Sequence, residues 1–485
     1  MPGPTIIFAI DSAETRLLSR YAEDGQLPFL GQFIKNWRLV EGPQHFCEMG
    51  AWTTFWSGIP AVEHGYHCIR RLNPGRYEVE LCNRPLHECP PFWATMPGSV
   101  SIWDAQEYDP IPSLAGEQLC NWRTSFAERC PPTPASHPET LLSDVVSRFG
   151  EPTRPVAIDL KGTSRSKEKY YRLSKERIAT CGQMFREAIR NGDRDLYIFG
   201  CAELHSAGHL CWTYEEEGEH RMLELYQDLD RELESVYRSA PADTQCLAVS
   251  AYGLYANYPL SDVAEKILRG LGYQQSPTGG GRQMKSLLPL GVRRKIGEFL
   301  PMQTQERMIN ENLRNNTDWS KSVAFGMPTL YTGYIRINLR GREPQGIVEP
   351  GEEYDRVVAQ IAEDFARLES PVPAHIRRVA ELSGEVPQHL PDIMISWEER
   401  EEPWDTIKHP RYEAPTDSHR FHRSTYHSYR GFIGAMDDAV LDGIPPVLDI
   451  PEVAGHLRRI CERGSGTSPV DSADSGVPQG KGVGR

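Results

Sequence analysis

The chain has 485 residues, 39% of them hydrophobic and 25% charged, enough apolar material for one large core or two smaller ones. Its formal net charge of −14 argues against a nucleic-acid polymer or an anionic membrane as partner, since both need a basic surface, but not against a small anionic substrate. No apolar run reaches the roughly 20 residues of a spanning helix, no leader-like stretch opens the chain, and eleven cysteines without a CxxC pair favour reduced thiols and a cytoplasmic setting.

Taken in chain order, short β-type runs end in polar residues. Thr5 to Ile10 ends at Asp11, Ser99 to Trp103 at Asp104, and Val156 to Ile158 at Asp159. Asp195 to Phe199 leads to Glu203, and Cys246 to Val249 leads to Ser250. Helical periodicity fills 168–190, 215–238, 259–270 and 351–368. Strands alternating with helices predict an α/β fold, a mostly parallel sheet covered by helices on both faces. Ligands of such sheets sit beyond the carboxyl ends of the strands, which singles out Asp11, Glu203 and Ser250. Glycines and a proline at 275–285, the basic Arg293-Arg294-Lys295 and a helical 303–314 suggest a smaller cap or insert over 275–330. We expect one α/β domain over 1–463 and a disordered tail over 464–485, where Gly, Ser, Pro and Asp leave little to bury.

Three polar constellations stand out. Glu203-Leu-His205-Ser-Ala-Gly-His209 follows a strand, and two histidines four apart can share one helical face and one cation. His419, His422 and His427 form a second group, which taken alone reads better as a polar surface loop but could complete a three-histidine set in space. The third, Glu48-Met-Gly-Ala-Trp-Thr53-Thr54-Phe-Trp-Ser-Gly58 followed by Glu63-His64-Gly65, offers hydroxyls that serve either as nucleophiles or as helix caps.

In this order the segments resemble the alkaline phosphatase superfamily, in its branch of type I phosphodiesterases and nucleotide pyrophosphatases, over about Thr5 to Ala435. The resemblance makes Asp11 the first metal ligand and His205 and His209 the counterpart of an Asp-x-x-x-His pair, with His in place of Asp. It makes His427, four before Gly431, the late histidine ligand. Pro91-Phe92-Trp93, Ala202 to His209 and Ile335 to Pro344 are similar to a bacterial subgroup of the same superfamily.

The departures matter most for function. Ten residues before Gly58, where the superfamily has a Thr or Ser nucleophile, stands Glu48. Where its second metal site has Asp-His, this chain has Ala251-Tyr252, and neither side chain suits a divalent cation. The resemblance therefore implies one zinc ion on His205, His209 and His427, with Asp11 nearby and Glu48 as general base or nucleophile. Thr53, Glu203, Asn338, Arg342 and Arg430 are candidate contacts to the substrate, with Arg336 as a further anion clamp. The expected activity is metal-dependent hydrolysis or group transfer on a phosphate or sulfate ester, nucleotide-like by resemblance. The competing reading is a non-catalytic descendant that binds a ligand or partner.

Overall fold

Six consecutive buried residues, Thr5–Ile10, form the central strand β1. Ile6, Phe8 and Ile10 face one apolar cluster while Ile7 and Ala9 face another. A strand buried on both faces needs no polar alternation, which is why it reads as a continuous apolar run. The structure is a computed structural model that describes residues 3–42, 49–68, 70–73, 75–82, 88–122, 134–151, 164–212, 216–256, 263–277, 302–329, 333–370, 372–384, 386, 388–398, 404–415 and 425–464. The expected strand at 156–158, the basic 293–295, His419, His422, Glu48 and the tail from 465 lie outside the described residues.

The main sheet has nine strands. In chain order they are β1, β2 (Arg38–Glu41), β3 (Ser99–Trp103), β4 (Ala115–Cys120), β5 (Ala135–His137), β6 (Leu196–Cys201), β7 (Gln245–Ser250), β8 (Gly431–Ala435) and β9 (Val447–Asp449). Across the sheet they run β9-β2-β8-β7-β1-β6-β3-β4-β5. The five from β7 to β4 are mutually parallel, whereas β8 and β5 run against their neighbours. One face is covered by α2 (Ser164–Asn191) and α4 (Glu216–Tyr237), the other by α1 (Ala51–Ser57) and α5 (Val453–Gly464). This is the α/β arrangement expected from the sequence.

A second, four-stranded antiparallel sheet is built from Ala324–Met327, Gly333–Ile337, Ile393–Trp397 and Ala374–Arg378. The helices Val263–Leu271 and Glu352–Ala366 pack on it around Ile335, Ile337, Ile361 and Phe365. The smaller region is thus larger than the 275–330 insert expected, and its strands lie beyond position 323. Of that insert, 278–301 lies outside the described residues. Its helix Met302–Asn315 packs against the Glu78–Leu81 strand, with Asn310 exchanging hydrogen bonds with the backbone of Val79. Among the described residues no helix is long and apolar enough to cross a membrane.

Phe199 is fully buried at the centre of the α2 face, stacked on Phe185 at 4.5 Å and on Phe8 at 6.2 Å. Phe199→Ala would leave a cavity that a rigid sheet cannot close. We expect a loss of about 3–5 kcal/mol in chemical denaturation; an unchanged midpoint would contradict this packing.

Candidate metal centre

The register of the parallel strands aligns their carboxyl ends. Ile10 pairs with Cys201, and Ala9 with Val249. Asp11, the helix that follows β6 and the Ser250-Ala251-Tyr252 segment therefore emerge at one edge of the sheet.

The helix α3 (Glu203–Cys211) starts directly after β6. Its residues 205 and 209 lie one turn apart on one face, and both imidazoles are buried. The third histidine arrives through a two-stranded ladder, Leu254–Ala256 against Thr425–His427, in which Leu254 pairs with His427. The ladder must press closely on α3 for this to work. Gly208 allows it, since a Cβ there would lie 2.2 Å from Leu254 Cδ1. Thr425 Oγ1 fastens the contact by donating to the Gly208 carbonyl at 2.9 Å.

Among the described residues, His205, His209 and His427 are the set of side chains whose ligand atoms lie close enough together to hold one metal ion. Their Nε2 atoms form a triangle with edges of 3.0, 3.2 and 3.0 Å. The other ring nitrogens decide what these contacts are. His205 Nδ1 lies 2.8 Å from Asp11 Oδ2, and His209 Nδ1 lies 2.9 Å from the Thr425 carbonyl. A carbonyl and a carboxylate can only accept, so each Nδ1 carries the proton and each Nε2 of the neutral ring presents a lone pair. Two lone pairs 3 Å apart repel. A shared cation removes the repulsion, and roughly 2.0–2.1 Å zinc–nitrogen bonds in a tetrahedral site separate ligand atoms by about this span.

Asp11 supports the triangle from behind. Its Oδ1 accepts from Trp52 Nε1 at 2.9 Å while Oδ2 holds His205. Burial pushes its carboxyl up, but the facing His205 and the two donors pull it down further, so it lies below the usual carboxylate range. Both oxygens are engaged, which places Asp11 as the partner of a candidate ligand and not beside the three Nε2 atoms. Tyr252, which the resemblance puts where the superfamily has a second metal ligand, packs its ring on His427 at 4.5 Å. Burial pushes the Tyr252 phenol well above its usual range, so it stays neutral.

Other candidates fall where the sequence did not place them. Glu203 faces away from the triangle, toward Arg177 at 3.4 Å, because it precedes His205 by two positions on the helix. Asn338 lies in the second sheet, accepting from Tyr77 and donating to the carbonyls of Trp319, Ser322 and Gln345. Arg342 forks onto Asp392 at 2.8 and 2.7 Å and also reaches Glu343. The fully buried Arg336 shares Glu343 and binds the Gln388 carbonyl at 2.6 Å. These three polar side chains hold the second sheet together. Arg430 reaches Glu41 at 3.5 Å and lies over the Tyr429 ring. Thr53 stays near the centre but is bonded to Glu107, a residue that the sequence did not mark. Thr54 Oγ1 lies 3.1 Å from His64 Nε2. Because His64 Nδ1 accepts from Tyr66 N–H, its Nε2 carries the proton and donates to Thr54, which leaves that hydroxyl unactivated.

The fold is similar to that of phosphonoacetate hydrolase from Sinorhizobium meliloti 1021 in complex with phosphonoformate, with a TM-score of 0.52 and 14% identity over 95% of this chain and 96% of that one. The same enzyme in complex with phosphonoacetate gives 0.51 at 14% identity, again over 95% and 96%. Murine ectonucleotide pyrophosphatase/phosphodiesterase 5 matches at 0.45 and 10% identity over 95% of each chain. No family model and no curated sequence matches the chain. The chain has an alkaline-phosphatase-like α/β fold.

Asp11→Asn keeps the shape and removes the charge behind His205. Zinc affinity should fall by about 10–100-fold in a chelator competition assay; equal affinity would show that Asp11 does not tune His205. Arg342→Ala leaves Asp392 buried without its fork and should cost about 3–5 kcal/mol of stability while leaving zinc binding unchanged. A lost zinc site in that variant would return Arg342 to the centre.

Proposed function

We propose that this chain is a single-metal enzyme that acts on a phosphate or sulfate ester, by hydrolysis or by transfer to another acceptor. The observation that carries the reading is the convergence of three Nε2 atoms at the catalytic edge of the sheet, two with their protons held on Nδ1. His205, His209 and His427 would hold one zinc ion and leave a coordination position open, as catalytic three-histidine sites do. Zinc there would supply the positive charge that polarises an ester oxygen. Asp11 keeps His205 oriented and offsets part of that charge.

Among the described residues a second ion has no comparable seat. Ala251 brings no donor, Tyr252 brings a neutral phenol, and Asp11 is already engaged on both oxygens. Two-metal catalysis stabilises the attacking and leaving oxygens together. With one ion, side chains must supply the rest, and we assign the attacking side to Glu48, which stands where the superfamily has its hydroxyl nucleophile. The similar fold of an enzyme named for phosphonoacetate, in complex with two small anions, supports a small anionic substrate here. Oriented imidazoles and a strained sheet edge favour an enzyme over a purely structural descendant, because neither feature helps a scaffold to fold.

Metal analysis of protein purified without added zinc should give about one equivalent per chain. His209→Ala should remove the ion and any turnover while the chain stays folded by circular dichroism. Two equivalents in the wild type would restore a second site, and full occupancy in His209→Ala would discard the proposed ligand set.

A further inference from the structure

Glu107 has no role in the assignments above. It follows the end of β3, at the edge of the sheet that carries Asp11. Its backbone is left-handed, with φ of 54°, a conformation glutamate rarely adopts. Ser12, Asp104 and Asn121 share it, with φ of 60°, 55° and 58°. These four are the non-glycine residues of positive φ among the described residues, and each follows the carboxyl end of β1, β3 or β4. Strained positions gathered at one edge point to a functional site.

The side chain is held unequally. Oε2 accepts from Thr53 N at 2.9 Å and from Thr53 Oγ1 at 3.1 Å. Among the described residues, Oε1 accepts from Gly50 N alone, at a longer 3.2 Å. Oε1 therefore keeps the freer lone pair and is the seat for a proton. The residue as a whole is only partly buried. The charged and titratable groups that act on it are Asp11 and Tyr252, both on the side of the histidine triangle. Burial pushes the carboxyl up to about 7, the Asp11 charge adds to the rise, and the donors from Thr53 and Gly50 oppose it. Glu107 also caps α1, whose Gly50 offers no side chain. A side-chain cap at position 50 itself is excluded, since a Cβ there would lie 1.9 Å from the Tyr66 carbonyl oxygen, so the cap comes from Glu107.

We propose that Glu107 is a proton-transfer residue of this centre, giving a proton to the leaving-group oxygen. The proposal rests on the ester-transfer reading above. As the attacking water or acceptor hydroxyl bonds to phosphorus or sulfur, the bond to the leaving oxygen breaks, its electron pair stays on that oxygen and the proton on Glu107 Oε1 moves to it. The carboxylate left behind is held by the Thr53 and Gly50 donors. The proton of the attacking hydroxyl goes to the carboxylate assigned above to the attacking side, and Oε1 regains a proton from water after the product leaves.

The test has two arms on zinc-loaded protein, wild type and E107Q. Infrared difference spectra between about pH 5.5 and 8.5 should show a neutral-carboxyl band that titrates in the wild type and is missing in E107Q. No such band, or the same band in both proteins, overturns the proposal whatever the reaction. The second arm compares phenyl and 4-nitrophenyl esters of phosphate and sulfate. E107Q should lose about 10²-fold or more on the phenyl ester, lose less on the 4-nitrophenyl ester, whose leaving group needs no acid, and flatten one limb of the pH profile. Equal losses on both esters with an unaltered pH profile would reduce Glu107 to a cap and overturn the proposal. If the wild type turns over none of the esters while the infrared band behaves as expected, the ester-transfer reading is what fails.

Discussion

Lone pairs on neutral imidazoles repel when they are forced together in a buried site, and this constraint organises the centre. Two of the three rings have their protons held on the far nitrogen, one by the Asp11 carboxylate and one by the Thr425 carbonyl. The arrangement is a sink for a cation. It costs folding free energy without one and returns it on binding, so metal and fold are thermodynamically linked. Asp11 fits the same logic, because a carboxylate kept ionised behind His205 holds the ring and balances charge without entering the triangle.

The rest of the architecture brings these rings together. α3 supplies two of them from a single turn, and the ladder between Leu254–Ala256 and Thr425–His427 supplies the third from more than 200 residues away. Close packing at Gly208 joins the two parts. Around them the sheet edge is strained at Ser12, Asp104, Glu107 and Asn121, and stability for that strain comes from the apolar clusters on both faces of the sheet. The second sheet has its own polar framework, in which Arg336, Arg342, Glu343 and Asp392 neutralise one another. Its arginines are thereby spent on structure.

In the single-metal reading proposed above, the second position is closed as much by size as by chemistry. Tyr252 removes a ligand and also fills space, stacking on His427 and standing at 6.4 Å from Trp52. Trp52 in turn donates to Asp11. An aromatic wall of Trp52 and Tyr252 thus stands beside His205 and His427. In so apolar a surrounding each remaining polar group counts for more, which is why a single carboxyl such as Glu107 can be shifted toward neutrality.

By itself the sequence determined the central strands, since β1, β3, β6 and β7 are apolar runs buried on both faces, and it determined the long helices through their period. It also determined which histidines were available, because α3 places positions 205 and 209 together by local geometry alone. Strands β2, β4, β5 and β9 carry polar or partly exposed residues and left no such signal. The direction in which a charged side chain points was decided only by the tertiary structure. Glu203 turned to Arg177, Arg342 to Asp392 and Asn338 to its own sheet, each satisfied by a partner distant in sequence or folded around it. Glu107 and the Thr425 carbonyl joined the centre for the same reason. A buried polar group takes the partner that the fold brings within about 3 Å, and spacing along the chain does not encode that distance.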